Sequence, residues 1–424
     1  MITFPKYEAY QDSGISWLGE VPAHWDLKKN KFLLTEKKST VGKESADFTL
    51  LSLTLNGVIA RDMENPQGKF PAEFNTYKIV DPNDLVFCLF DVEETPRTVG
   101  RANQRGMITG AYTVFECSEE VDSRFFYYYY LSLDFDKRLR PLYTGLRNVI
   151  KADAFLGTKS PIPPLEEQKR IVEFLDRKTA EIDEAIAHKQ RLIELLQEQK
   201  AILINQAVTK GLNLDSPMKN SGVNWLGQLP KHWSVRRAKF LFTEVDERSQ
   251  TGTEELLSVS HMTGVTPRSE KNVYMFMAED YTGSKLCRKD DLVINIMWAW
   301  MGALGVSDRI GIVSPSYGIF RQIEPNIFNS WYLEHLLRST EYVAQYNRIS
   351  TGLHSSRLRL YAHMFLNMEI LLPPKDEQDQ IVSITLERAK SIDETMKSIE
   401  SEMATLGEFR SILISKTITG KIKV

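Results

Sequence analysis

One block of sequence occurs twice in this chain. Residues 13–25, Ser-Gly-Ile-Ser-Trp-Leu-Gly-Glu-Val-Pro-Ala-His-Trp, return 208 positions later as residues 221–233, Ser-Gly-Val-Asn-Trp-Leu-Gly-Gln-Leu-Pro-Lys-His-Trp. Further matches follow in the same order, and the last pairs Pro163-Pro164 and Glu167-Gln168 with Pro373-Pro374 and Glu377-Gln378. A repeat that keeps its order over half of the chain indicates a duplicated unit. The sequence therefore predicts two equivalent modules that present two equivalent surfaces.

Each half changes character at its Pro-Pro pair. Before the pair, short apolar runs such as 85–87 and 292–294 alternate with Gly, Pro, Asn and Asp, which is typical of an α/β (α+β) module. After the first pair, residues 165–210 contain neither proline nor glycine. A helix of about 44 residues is roughly 65 Å long at 1.5 Å per residue, so neither module can enclose it.

Both predicted helices carry a heptad seam, in which apolar residues recur in steps of three and four. Because the two seams have the same register, we expect the helices to pack antiparallel and to hold the modules apart; an internal bundle helix is the alternative. The seam consists of Val172, Leu175, Ile182, Ile186, Ile193, Leu196 and Leu203 in the first copy, and of Val382, Ile392, Met396, Ile399, Met403, Leu406 and Leu413 in the second.

Four segments follow from this pattern. Residues 1–160 form the first module with its N-terminal repeated block, and 161–212 form the first helix. Residues 213–370 form the second module, which begins with a linker at 213–217, and 371–424 form the second helix. The two modules are related by an internal pseudo-two-fold repeat.

Positive charge is concentrated in a few segments, although the net charge of the chain is only −3. Residues 95–115 and 342–368 contain no carboxylate, and residues 137–165 contain only Asp153. A basic segment is often only a solvated face, but its recurrence before both helices favours phosphate binding. Trp298 and Trp300 either contact bases or belong to the core. The candidate nucleic-acid contacts are Arg97, Arg101, Arg105, Arg147, Lys151, Trp298, Trp300, Arg348, His354, Arg357 and Arg359.

Motifs for catalysis are absent from the sequence. There is no GxxxxGK[ST], GxGxxG, HExxH or GxSxG, and neither Pro-Pro pair has the flanking residues that amino-methyltransferases of DNA use. Three cysteines without CxxC or Cys/His spacing argue against a zinc site and a disulfide framework. His24 and His232 are interpreted as packing residues rather than catalytic ones, since no carboxylate lies at a telling spacing. We expect no catalytic residue, metal or cofactor.

Localisation in the cytoplasm is the expectation for this chain. No run approaches 18 apolar residues, and the N-terminus lacks the basic and then apolar pattern of a signal peptide. No membrane association is predicted.

At residues 12–25 and 220–233, and at the helix openings 161–168 and 372–378, the chain resembles the specificity subunit of type I restriction-modification systems. The resemblance covers essentially the whole chain. It implies two target-recognition domains joined by two helices that form an antiparallel coiled coil. It also implies a non-catalytic subunit that reads a bipartite site in double-stranded DNA, docks two methyltransferase (modification) subunits, and binds motor-nuclease (restriction) subunits in the full complex.

One departure from the pattern makes the two docking surfaces unequal, because the second helix opens with Lys375-Asp376 where the first has Leu165-Glu166. Two rival functions stay open at this point. A self-contained DNA methyltransferase with a duplicated recognition region would need a cofactor motif, and none is found. A protein-binding scaffold would leave the basic segments without a role.

Overall fold

The computed structural model describes residues 4–62, 73–213, 215–271, 280–354 and 357–424. These residues form two compact units, Met1–Gln190 with Glu400–Val424 and Arg191–Ile399. The boundaries between the units therefore fall inside the long helices rather than at the helix ends. Leu214 of the predicted linker lies outside the described residues.

The first unit contains a mixed helix and strand module followed by part of a long helix. Its helices are α1 (Ser123–Phe135), α2 (Ala152–Gly157) and the first part of α3 (Leu165–Lys210). Its strands are β1 (Tyr10–Asp12), β2 (Glu20–Pro22), β3 (Asp26–Lys29), β4 (Leu34–Lys37), β5 (Leu51–Thr54), β6 (Gly57–Ala60), β7 (Lys78–Val80), β8 (Leu85–Phe87), β9 (Val99–Arg101), β10 (Gly106–Ile108), β11 (Thr113–Cys117) and β12 (Lys159–Ile162).

The second unit contains the equivalent elements. Its strands are β13 (Met218–Asn220), β14 (Gln228–Pro230), β15 (Ser234–Arg237), β16 (Phe242–Glu244), β17 (Leu257–Ser260), β18 (Gly264–Pro267), β19 (Lys285–Cys287), β20 (Leu292–Ile294), β21 (Leu304–Val306), β22 (Gly311–Val313), β23 (Gly318–Gln322) and β24 (Glu369–Leu372). Its helices are α4 (Ser330–Leu337), α5 (Thr340–Ile349), α6 (Ala362–Leu366) and the first part of α7 (Lys375–Ile418).

The duplication extends to the sheets. The central antiparallel sheet has the order β4-β11-β8-β9 in the first unit and β16-β23-β20-β21 in the second. Register is kept as well, since Leu85 pairs with Phe115 in one sheet and Leu292 pairs with Phe320 in the other. All four of these side chains are buried, and β8 and β20 are buried at every position.

The repeated Glu-Gln pair at the start of each long helix attaches the helix to its module. In the first unit, Gln168 Oε1 accepts a bond from the Asp122 backbone N–H at 2.9 Å. Its Nε2 donates to the carbonyl oxygens of Glu120 and Pro163, both at 2.9 Å. Asp122 is in turn the N-cap of α1. The fully buried amide thus fixes the chain between β11 and α1 to the start of α3.

Gln378 repeats this arrangement in the second unit. Its Oε1 accepts from the Asn329 backbone N–H at 2.9 Å, and its Nε2 donates to the carbonyl oxygens of Ile327 and Pro373 at 3.1 Å. Asn329 caps α4 as Asp122 caps α1. The Glu-Gln signature is therefore explained by long-range attachment of the helix and not by the helix itself.

The repeated His-Trp pair binds the glutamate that precedes this glutamine. Glu167 contacts His24 Nε2 at 2.8 Å and accepts from Trp25 Nε1 at 3.1 Å and from the Tyr7 hydroxyl at 2.6 Å. In the second unit, Glu377 lies 2.6 Å from His232 Nε2 and accepts from Trp233 Nε1 at 3.0 Å. Both histidines therefore have a carboxylate partner, 143 and 145 positions away along the chain, which no local sequence spacing indicates. The packing interpretation agrees with these contacts.

Ion pairs join the two long helices within each unit. In the first unit, Arg410 Nη2 donates to Asp183 Oδ2 at 3.2 Å, and Lys189 pairs with Glu402. In the second unit, Lys200 Nζ lies 2.7 Å from Asp393 Oδ1. The observed bounds of α3 agree with the predicted span 165–210. Of the fourteen predicted seam residues, Val172, Leu175, Ile182, Ile193, Ile399 and Leu413 are buried, whereas Ile186, Leu196, Leu203, Val382, Ile392, Met396, Met403 and Leu406 are half-buried.

Among the described residues, no helix is long and apolar enough to cross a membrane. Cys88 and Cys287 are buried, Cys117 is half-buried, and all three are free thiols.

Candidate nucleic-acid interface

In each unit, two loops meet at the end of the central sheet where an inner strand, β8 or β20, terminates. In the first unit, the strand loop (residues 88–98) follows β8, and the hairpin loop (residues 143–150) precedes α2. Backbone bonds join them, since Ile150 N–H donates to Leu89 O and Asp91 N–H donates to Arg147 O, both at 2.8 Å. The loops therefore form one continuous surface.

The second unit has the same pair of loops. Its strand loop (residues 295–303) follows β20, and its hairpin loop (residues 350–360) follows α5, with residues 355 and 356 outside the described part. Leu360 N–H donates to Ile296 O at 3.0 Å, which matches the bond between Ile150 and Leu89. The equivalent surface is thus built by equivalent backbone contacts.

Each hairpin loop presents a leucine to solvent at its tip. The first is closed by reciprocal bonds between Thr144 and Val149, and Gly145 has a φ of 70°, which favours glycine. At Gly352 in the second loop, a Cβ would lie 2.3 Å from the Arg357 carbonyl oxygen, so only glycine allows this approach. Leu146 and Leu353 are 104% and 90% exposed. Both tips thus project from their modules.

Carboxylates neutralise the cations of the first surface. Arg147 Nε donates to Asp91 Oδ1 at 3.0 Å, and Arg140 Nε donates to Glu93 Oε2 at 2.9 Å. The hydrogen bond from Arg147 lowers the pKa of Asp91, and the bond from Arg140 lowers the pKa of Glu93. Lys151, at the start of α2, is exposed. The predicted site residues do not include Asp91 and Glu93, because a search for basic segments does not find the carboxylates that neutralise them after folding.

Three predicted cations of the first unit are distributed around the sheet. Arg97 belongs to the strand loop and donates to Leu55 O at 3.0 Å. Arg101 pairs with Leu85 at the far end of β8, and its guanidinium is bound by Ser123, Asn103 and Asn83. Burial lowers its pKa. Arg105 lies 3.4 Å from Asp81, just before β8 begins. The structure therefore brings neither Arg101 nor Arg105 to the hairpin loop.

In the second unit, the predicted residues are brought together, and no described carboxylate neutralises their charge. Asn347 Nδ2, near the end of α5, donates to Trp300 O at 2.6 Å, which joins α5 to the strand loop. Arg348, His354, Arg357 and Arg359 are exposed, and none forms a side-chain ion pair within the described ranges. Trp298 is 48% exposed and stacks on Trp300 with a centroid distance of 5.9 Å. The core interpretation is wrong for Trp298.

Within the same described ranges, no three His, Cys, Asp or Glu side chains are grouped so that they could hold a metal ion.

Comparisons with known proteins agree with this architecture. The model of the family "Type I restriction modification DNA specificity domain" matches residues 108–195. The MjaVIII type I restriction enzyme specificity subunit of Methanocaldococcus jannaschii is 25% identical over an alignment of 378 positions, and the alignment covers 84% of this chain and 83% of that protein. The putative MjaX specificity subunit of the same organism is 24% identical over 277 residues, 63% of this chain and 60% of that protein.

Two solved structures share the fold. A chain from a study of complex assembly and conformational transition of the type I restriction-modification system has a TM-score of 0.59 at 15% identity, over 94% of this chain and 98% of its own. The HsdS subunit from Thermoanaerobacter tengcongensis has a TM-score of 0.52 at 14% identity, over 95% and 98%. The resemblance to type I specificity subunits is confirmed. Residues 108–195, which the family model matches, include the hairpin loop of the first unit and the start of α3.

Proposed function

We propose that this chain is the specificity subunit of a type I restriction-modification complex and that it reads a bipartite, asymmetric site in double-stranded DNA. The observation that carries the proposal is the repeated pairing of a strand loop with a hairpin loop that projects an exposed leucine. Base readout needs a projecting element that can enter a groove, and phosphate binding needs cations beside it. Both features occur in each unit.

The two half-sites differ under this proposal because the two surfaces differ in charge. In the first unit, Asp91 and Glu93 neutralise two arginines. In the second, Arg348, Arg357 and Arg359 have no carboxylate partner among the described residues. The second surface therefore supplies most of the salt-dependent attraction to phosphates, whereas the first depends more on shape and directed hydrogen bonds.

The long helices act as the spacer between the two target-recognition domains. Support comes from the ion pairs between α3 and α7, whose order along one helix is the reverse of their order along the other. Each helix also contributes residues to both units. The seam residues, the antiparallel coiled coil, the pseudo-two-fold repeat and the four segments 1–160, 161–212, 213–370 and 371–424 belong to this proposal.

Methyltransferase and restriction subunits are the proposed protein partners, and this chain contributes no catalytic step. The helices keep apolar side chains exposed outside the seam, and an exposed apolar patch suits a protein partner. These residues are Leu192, Leu195, Ile202, Ile384 and Leu386 in the second unit, and Phe409 and Ile412 in the first.

The decisive test measures how DNA binding by the methyltransferase complex of this chain depends on salt. Replacing Arg348, Arg357 and Arg359 together with alanine should make the slope of log K against log salt shallower by about 3, at about 0.9 per phosphate contact. The matched control replaces Arg388, Lys390 and Lys397, three exposed cations of α7, and removes the same charge. Equal slopes for the two triple variants would show that this surface does not bind DNA. A complex that does not bind DNA at all would favour the protein scaffold.

A further inference from the structure

The guanidinium of Arg147 is held along one edge while its other edge is open. Its Nε donates to Asp91 Oδ1 at 3.0 Å, and its Nη2 donates to Asp91 Oδ2. This bidentate contact uses the side of the guanidinium that carries Nε. Both N–H groups of Nη1 and the second N–H of Nη2 have no partner among the described residues, and the side chain is 70% exposed.

The position of this guanidinium is fixed by its surroundings. Asp91 is itself tied to the hairpin loop, because its backbone N–H donates to the Arg147 carbonyl oxygen at 2.8 Å. The ring of Phe90 lies 5.8 Å from the guanidinium carbon and stacks on Tyr112 with a centroid distance of 6.0 Å. A guanidinium held by a carboxylate and an aromatic ring has already lost much of its conformational entropy before any ligand binds.

Among the bases of duplex DNA, an oriented edge with two parallel donors matches guanine best. Guanine presents O6 and N7 side by side in the major groove, and a bidentate arginine is its commonest specific contact. A phosphate can be bound by an arginine that no carboxylate orients, so it does not require this arrangement. Leu146, which precedes Arg147, is fully exposed at the loop tip, and the edge is therefore accessible to a groove.

We propose that Arg147, oriented by Asp91, reads a guanine in the half-site bound by the first unit. The proposal rests on the proposed function, and it makes Arg147 a specificity-determining residue instead of one more phosphate contact. Asp91 is a positioning residue, since it acts through Arg147.

The second unit lacks this reader. The positions that correspond to Arg147 and Asp91 are His354 and Trp298, which cannot form the same fork. The guanine contact therefore belongs to one half-site, and its loss should leave discrimination in the other half-site unchanged.

The test uses the complex of this chain with its methyltransferase, on a target identified by mapping methylated positions in the host genome. Each base pair of both half-sites is replaced in turn, and binding is measured for the wild type, Arg147→Lys and Asp91→Asn. Lysine keeps the charge but loses the fork. Arg147→Lys should lower discrimination at a single G·C position of one half-site by roughly ten- to a hundred-fold, with every other position unchanged. Asp91→Asn should lower it at the same position by a smaller factor.

Arg140→Lys is the matched control, because Arg140 is paired with Glu93 through the same guanidinium atoms and is similarly exposed. This variant should leave discrimination intact. The proposal is overturned if Arg147→Lys weakens all sequences equally, as a phosphate contact would, or if Arg140→Lys relaxes the same position. A wild-type complex without sequence preference would overturn the proposed function as well. Thermal unfolding checks that all variants are folded.

Discussion

Replacing Gln168 with alanine should destabilise the first unit strongly, although alanine is a good helix former. The side chain is fully buried, and its three hydrogen bonds hold the backbone before α1 and the Pro-Pro segment against the start of α3. Alanine would leave two carbonyl oxygens and one backbone N–H without their partner, one of them in a fully buried position and two in partly buried ones. The substitution therefore tests whether the Glu-Gln signature joins the module to its helix.

The size of the effect follows from these three bonds. A typical intramolecular hydrogen bond contributes about 1 kcal/mol, and a buried group that loses its partner costs about 1 to 3 kcal/mol. We expect a loss of about 3 kcal/mol in the free energy of unfolding. For a unit of roughly 200 residues, this corresponds to a decrease in Tm of about 6 to 12 °C.

The assay is thermal unfolding followed by circular dichroism and calorimetry. Gln378→Ala should behave like Gln168→Ala, because its side chain makes the same three kinds of contact. Gln197→Ala, on the exposed face of α3, is the control and should change Tm by less than about 1 °C. If Gln168→Ala matches this control, the attachment role assigned to the amide is refuted.

Two further predictions concern the same helices. Burial raises the pKa of Glu167, but hydrogen bonds from Tyr7, His24 and Trp25 outweigh burial and lower it below its ordinary value of 4.5. This carboxylate therefore contributes stability above pH 4.5 that is lost as the pH falls through its folded-state pKa. In urea unfolding, Glu167→Gln should reduce the difference in the free energy of unfolding between pH 7 and pH 4. The control Glu173→Gln, at an exposed position, should leave this difference unchanged. Under the spacer proposal, one heptad inserted into each helix should lengthen the gap between half-sites by about 10 Å, or about three base pairs, and methylation mapping that finds the original gap would contradict the spacer role.

The local elements of this fold were largely predictable. The bounds of α3 agree with the predicted span because residues 165–210 contain no helix breaker and keep a heptad pattern, both of which depend on near neighbours in the chain. The duplicated blocks likewise predict two modules, and the matching sheet orders agree with that prediction.

The candidate site was less predictable. The basic segments include Arg147 and Arg357 of the candidate interface, but charge along the chain does not reveal which cations are neutralised. Asp91 pairs with Arg147 across 56 positions, and Arg101 is bound by Asn83 and Ser123 away from the hairpin loop. Trp298 follows an apolar strand, yet it lies on the surface because the chain turns there. These outcomes depend on how loops meet after folding.

The sequence by itself determined that the chain has two similar modules, two long amphipathic helices and a family resemblance, because repetition and periodicity are properties of chain order. The tertiary structure decided that Glu167 forms hydrogen bonds with His24 and Trp25, which are 143 and 142 positions away. It also decided that Arg147 is held by Asp91, whereas Arg357 has no ion-pair partner among the described residues. The physical reason is that hydrogen bonds and ion pairs act over a few ångströms in space, so only the folded backbone decides which polar groups satisfy one another and which stay available to a ligand.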